Sequence, residues 1–422
     1  MCPAAEHPPA APPGETPGAP PDPALPASRG GSQGGVRLYN ERLILSLIRR
    51  HAALTKVEIA RATGLSQQTT TVIINRLTEE GLLVPGERQR GRVGQPAVPY
   101  RLNPEGALSL GVLIGRRSAE VALMDLSGVI RARLRRTHQW PDPTTVVAFA
   151  RQAIARITRT LPRDAARRIA GLGVAIPSGL WQWTDIVGAP PGALDGWRDL
   201  DLAVALDAAG RWPVLVGNDT TAACGAELIF GRGTRHADFA YFYLGAFVGG
   251  GIVLNGALLP GRTGNAGALG SLPVSRPRGG VQQLLRCASI WQLERRLVAA
   301  GHDAGVLWQA PADWDALGAP LAGWIDESAR ALAQACVAAA AVIDFQAFLI
   351  DGNFPPAVRA RLVARTRQRI ATIDREGLSD FAIEEGAVGR DARSIGAAAM
   401  PLLASFGRDR DVLLKDLEPA AA

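Results

Sequence analysis

Apolar and polar positions along this chain follow two periods, and the switches between them mark its elements. Over residues 36–50, Leu38, Leu43, Ile44, Leu47 and Ile48 recur at helical spacing, which predicts an amphipathic helix with these five side chains inward. Residues 55–83 read as two short helices joined by a tight turn, with an apolar exit into a strand. Thr55 and Glu58 have capping-box spacing, Gly64 supplies the turn, and Ser66 caps the second helix. In that second helix Leu65, Val72, Ile73 and Leu77 are expected inward. Gln67, Thr71, Asn75 and Thr78 form the opposite face, with Gln68 and Thr70 at its margins. Residues 82–102 then read as a β-hairpin with a basic, glycine-rich tip.

From about residue 106 the pattern becomes that of an α/β body. Two strands flank a Ser127-Gly128 turn, and a helix is predicted over 143–161. A buried strand over 169–176 ends in Pro177-Ser178-Gly179. Another over 213–217 ends in Asn218-Asp219 and runs into a helix. Two strands follow over 239–254, then a glycine-rich loop over 262–271. The apolar stretch Ala331–Ile350 reads as a buried helix entering a strand, and the chain closes on a small-residue helix. Polar groups and glycines gather at strand ends, where open α/β sheets bind ligands. The expected organisation is a tail (1–35), a helical head with a hairpin (36–102) and a first lobe (106–217) to which a C-terminal helix (393–420) returns. A second lobe (218–392) carries the expected dimerisation surface.

Composition narrows this. The tail holds ten prolines and six glycines and is expected to be disordered. The net charge of +7 is unevenly placed, because residues 36–103 hold 11 Lys and Arg against five Asp and Glu. A basic module on a nearly neutral body suits a polyanion, although a solvated basic face is the plainer alternative. The four cysteines are dispersed, which points to reduced thiols in a cytoplasmic protein. The histidines show no metal-ligand spacing, so neither a metal nor a cofactor is expected. No apolar run reaches the length of a membrane span, and no signal peptide is apparent.

Three helices and a basic hairpin make a winged helix-turn-helix. The second short helix offers uncharged donors and acceptors of the kind that read base edges in a major groove. The expected contacts to double-stranded DNA are Ser66, Gln67, Gln68, Thr70, Thr71 and Asn75. Arg88, Arg90, Arg92 and Lys56 are expected at phosphates, and the Arg90-Gly91-Arg92 unit is slim enough for a minor groove. Without its neighbours the same pattern is a polar-faced helical hairpin followed by a flexible loop.

The order of motifs resembles the ROK family of repressors, open reading frames and sugar kinases. It is carried by YNERLILSLI, TKVEIARATGLSQQT, RGRVGQPAVPY, GLGVAIPSG, VGNDTTAACGAE, LGAFVGGGIVLNGALLPGRTGNAG and IGAAAM. The resemblance implies an α/β fold: a winged helix-turn-helix followed by a two-lobed, actin-like sugar-kinase body. It also implies a homodimer or homotetramer on an operator, with a small-molecule effector, a sugar or sugar phosphate, in the cleft. Asn218, Asp219, Asn265 and Ser271 are the implied effector contacts. In family kinases the residue matching Asp219 is the general base.

Departures from the family pattern weigh against catalysis. Leu113-Ile114-Gly115-Arg116-Arg117 replaces an Asp-x-Gly-Gly-Thr phosphate loop, though the two arginines retain a charge for an anion. Gly245-Ala246-Phe247 replaces Gly-Thr-Gly. Gly267-Ala268-Leu269-Gly270-Ser271 lacks the family's sugar-binding Glu and His. Gln283 and Leu285 stand at a zinc-cysteine and a sugar-contacting position, so no structural zinc is expected. The expected function is a transcriptional regulator, a repressor of carbohydrate uptake or catabolism genes, and not an enzyme. An ATP-dependent sugar kinase, or a constitutive regulator with a dead pocket, remains the alternative.

Overall fold

A computed structural model describes residues 33–87, 98–206, 211–308 and 314–407. The first helix, α1 (Gln33–His51), starts three residues before the predicted one. It buries Ile44, Leu45 and Ile48, whereas Leu38, expected inward, is 37 % exposed. Strand β1 (Leu54–Thr55) leads into α2 (Lys56–Thr63). Its N-terminus carries the predicted capping box, with Thr55 accepting from the Glu58 backbone and Glu58 accepting from that of Thr55. Gly64 closes α2 in the left-handed region (φ 72°), and Ser66 caps α3 (Gln67–Glu79) by accepting from the Thr69 backbone. Strands β2 (Leu83–Pro85) and β3 (Pro99–Leu102) form the hairpin, and β1 adds to its other edge to give the order β1-β3-β2. Ile44, Leu45, Ile48, Ile59, Ile73, Ile74, Leu77, Leu82 and Leu83 make the head's core. Full burial of each such side chain contributes about 1.5–3 kcal/mol.

Two five-stranded sheets follow, with the same topology. The first comprises β4 (Leu108–Ile114), β5 (Ser118–Asp125), β6 (Ile130–Thr137), β7 (Ile169–Ile176) and β8 (Val214–Asn218), ordered β6-β5-β4-β7-β8. The second comprises β9 (Phe239–Leu244), β10 (Val248–Leu254), β11 (Ala257–Leu258), β14 (Ala347–Gly352) and β15 (Ala382–Glu385), ordered β11-β10-β9-β14-β15. Each pairs an antiparallel meander with two parallel strands. A small hairpin, β12 (Pro273–Ser275) with β13 (Val281–Gln283), lies outside both sheets.

Helices cover the sheets. In the first lobe these are α4 (Pro143–Arg159) and the short α5 (Arg163–Arg167), α6 (Thr184–Val187) and α7 (Leu202–Leu206). Next come α8 (Asp219–Phe230), α9 (Leu285–Ala288), α10 (Ile290–Ala299), α11 (Gly318–Ala340) and α12 (Pro356–Ile370). The last, α13 (Ala392–Phe406), packs against β4, β7 and α8. Of the expected C-terminal helix, residues beyond 407 lie outside the described set. Close approach of α13 needs glycine beneath it: a Cβ at Gly111 or Gly173 would collide with the backbone of Ala398 or Ala397.

The head does not stand apart from the body. Its apolar core continues into Met124, Leu126, Ala398 and Leu402. Arg42 of α1 donates to the Ala404 carbonyl near the end of α13 at 2.9 Å. Arg49 donates to the Leu126 carbonyl at 3.4 Å, and burial draws its pKa down to about 10. No helix among the described residues is long and apolar enough to cross a membrane.

Candidate DNA-reading head and effector cleft

Helix α3 sorts its residues by face. Thr70, Ile73, Ile74 and Leu77 are buried, and Gln67, Gln68, Val72 and Asn75 are exposed. Two expectations are corrected here. Thr70, placed among the base contacts, is 0 % exposed and belongs to the core. Val72, placed in the core, is 63 % exposed. The run Val72-Ile73-Ile74 offers three successive apolar residues, and helical spacing lets a narrow core stripe take only two of them. Packing into the head's core, with residues of α1, α2 and β2, selects Ile73 and Ile74.

Ser66 and Thr69 hydroxyls lie 2.9 Å apart at the helix start, and Thr71 is half-buried at the edge of the outer face. Lys56, at the start of α2, donates to Asn75 Oδ1 at 2.8 Å and stacks on Tyr100 at 5.5 Å, which ties α2, α3 and the hairpin together. Arg88, Arg90 and Arg92 lie outside the described residues. Residues 37–84 match a winged helix-turn-helix DNA-binding family.

A cleft of about 430 Å³ opens between the two sheets at their strand ends. All four expected effector contacts line it: Asn218, Asp219, Asn265 and Ser271. Asn218 ends β8 and is the N-cap of α8, its Oδ1 accepting from the backbones of Thr220 (2.9 Å) and Thr221 (3.1 Å). The helix cap is therefore Asn218 and not Asp219. Asn218 also donates to Ser178 Oγ at 3.1 Å, which ties it to the β7 exit. Asp219 is buried, and its Oδ2 accepts from Arg393 of α13 at 2.9 Å. Arg393 also lies 5.3 Å over the Tyr243 ring. Burial opposes the Arg393 charge, but Tyr243 and Asp219 outweigh it and hold its pKa above the ordinary arginine value. Burial in turn pushes the Tyr243 phenol up to about 12.

The loops that follow β4 and β9 both line this cleft. Arg116, in the turn between β4 and β5, crosses to α10 and makes a two-pronged pair with Glu294 at 2.8 and 3.3 Å. Its guanidinium also lies 5.3 Å over the Trp308 ring. Arg116 is therefore held by protein groups of the second lobe while it lines the cleft. Arg117 donates to the Gln139 carbonyl at 3.0 Å, and burial, then the Arg116 charge, lowers its pKa. In the loop after β9, the Phe247 ring meets Trp183 edge-on at 4.5 Å and Trp291 at 6.3 Å. Trp183 belongs to the first lobe and Phe247 to the second, so an aromatic bridge joins them. These partners went unread in the sequence. Arg393 and Glu294 come from helices far along the chain, and no local pattern marks them.

Residues 109–288 match the ROK family. One relative, "Uncharacterized protein y4fQ" of Sinorhizobium fredii, is 27 % identical over 87 % of this chain and 91 % of its own. The xylose repressor of Bacillus subtilis is 23 % identical over 57 % of this chain and 61 % of its own length. Among solved structures, a ROK family transcriptional regulator, homologous to the E. coli MLC protein, superposes with a TM-score of 0.61. It is 23 % identical and covers 89 % of this chain and 98 % of its own. The chain therefore carries a ROK family domain over residues 109–288 and, ahead of it, a winged helix-turn-helix, on a body with the sugar-kinase-like fold.

Proposed function

We propose that this protein is a DNA-binding transcriptional regulator, a repressor of carbohydrate uptake or catabolism genes, controlled by a small sugar-like effector in the interlobe cleft. The observation that carries this reading is the outer side of α3. Gln67, Gln68 and Asn75 are exposed there on a winged helix-turn-helix. Thr71 and Ser66 flank them, and Lys56 together with Arg88, Arg90 and Arg92, on the segment between β2 and β3, would supply the phosphate contacts. Helix α13 contributes Arg393 to the cleft and takes the Arg42 contact of the head at its other end. An effector preferring one interlobe arrangement would thereby bias head position, provided its affinity for the two arrangements differs. A palindromic operator and a homodimer or homotetramer, assembled through the second lobe, complete the reading.

Phosphotransfer is not part of it. Positioning and charge stabilisation supply most of that catalysis. Here Arg116 is engaged by Glu294, and Phe247 fills its loop with a ring. The test is twofold. Full-length protein is titrated against duplexes selected from a random library, and sequence-specific binding is expected. A coupled ATPase assay over a sugar panel should show no turnover. Indifference to DNA sequence, or sugar phosphorylation lost in Asp219→Asn, would overturn the reading.

A further inference from the structure

Val72 is the exposed large apolar residue of α3, in the middle of an otherwise polar stripe. At 3.6 residues per turn, Gln68, Val72 and Asn75 lie within an arc of about 60°. A lone surface valine is ordinary, and its exposure alone says little. Its position is what matters: the side chain stands between two carboxamides on the helix that a winged helix-turn-helix lays into a major groove. Asn75 is also held in place, because Lys56 donates to its Oδ1 at 2.8 Å while stacking on Tyr100. The surface of the stripe near Val72 therefore presents one apolar and two amide groups, of which the Asn75 amide is held by Lys56.

In the major groove the apolar feature of a base edge is the C5-methyl group of thymine, and Asn and Gln pair best with adenine N6 and N7. On the reading that α3 enters DNA, we infer that Val72 packs against a thymine methyl and that Gln68 and Asn75 read adjacent adenines. Val72 is then a specificity-determining residue, and each half-site has A·T pairs at its centre. The chemistry of the groove accounts for an exposed valine at the one place where polar side chains would otherwise be expected.

The experiment uses full-length protein and a duplex selected by it from a random library. Each dT of the selected half-site is replaced in turn by dU, which removes only the methyl group. At one or two positions wild-type binding should weaken about four-fold, the loss expected for one buried methyl. Val72→Ala should bind the dT duplex more weakly and should not distinguish dT from dU. Because Val72 is exposed, the variant should keep the wild-type circular dichroism and melting curve. Wild-type tolerance of dU at every position, or dT/dU discrimination persisting in Val72→Ala, would overturn the inference alone. Failure to select any duplex would overturn the regulator reading and this inference with it.

Discussion

Thr70→Val separates the two readings of α3 in a single substitution. Thr70 is fully buried, and its Oγ1 has no hydrogen-bond partner among the described residues. A buried hydroxyl without a partner costs about 1–3 kcal/mol. Valine has nearly the same shape and helix propensity, so replacing the hydroxyl by a methyl group removes that cost with little strain. Taking the lower end, local stability of α3 should rise by about 1 kcal/mol, a factor of about five in an equilibrium constant. Native-state hydrogen exchange reads this directly. Amides of Ile73, Ile74 and Leu77 should exchange about five-fold more slowly in the variant wherever they exchange through local opening. Affinity and base preference on a selected duplex should not change. Faster exchange, or an altered base preference, would mean that Thr70 works at the surface and that the buried face is misassigned.

Arg116→Ala leaves Glu294 without its partner across the cleft. Breaking such a pair costs about 3–5 kcal/mol when buried, somewhat less here because Glu294 is partly solvated, and the melting temperature should fall by several degrees. An unchanged melting curve would remove the interlobe pair from the account. Glu227 is buried, and burial raises its pKa although the backbones of Arg232, Ala387 and Val388 donate to it. A raised folded-state pKa stabilises the fold fully below the ordinary glutamate range, and this stability is lost as pH rises through the folded value. Chemical denaturation should therefore show Glu227→Gln gaining on the wild type as pH rises through that window, and the opposite slope would contradict the assignment. Cys224, Cys287 and Cys336 are buried free thiols, and burial pushes Cys287 up to about 11. Peptide mass spectrometry after alkylation at pH 8 should find all three unmodified in the native protein and modified after unfolding; native labelling of Cys336 would contradict its burial.

What could be read from the sequence depended on the range of the interaction. The capping box at Thr55, the Gly64 stop and the Ser66 cap are satisfied within four residues, and each occurs as expected. Strand β7 runs over residues 169–176 as predicted, because a short apolar run bounded by turn residues has few alternatives. The face of α3 was less determinate, since Val72-Ile73-Ile74 fits two adjacent core stripes and only packing against α1, α2 and β2 chooses between them. The third strand of the head, β1, is two residues long and carries no periodic signal. Of the residues named from the sequence, Asn218 and Asp219 at the end of β8 and Asn265 and Ser271 in the loop over 262–271 all line the cleft. Their partners were not legible in the sequence. Arg393 meets Asp219 across 174 positions and Glu294 meets Arg116 across 178, and such pairings exist only once the two lobes have closed on each other.

The most direct test of the central claim is the affinity of the full-length protein for its selected duplex relative to a scrambled duplex, measured by fluorescence anisotropy across salt. Specific regulators favour their sites by at least about 10³-fold, and phosphate contacts make the logarithm of affinity fall linearly with the logarithm of salt concentration. The expected result is a preference of that order, with a salt slope reduced in Arg90→Ala and Arg92→Ala. Equal affinity for the two duplexes at every salt concentration would contradict the account.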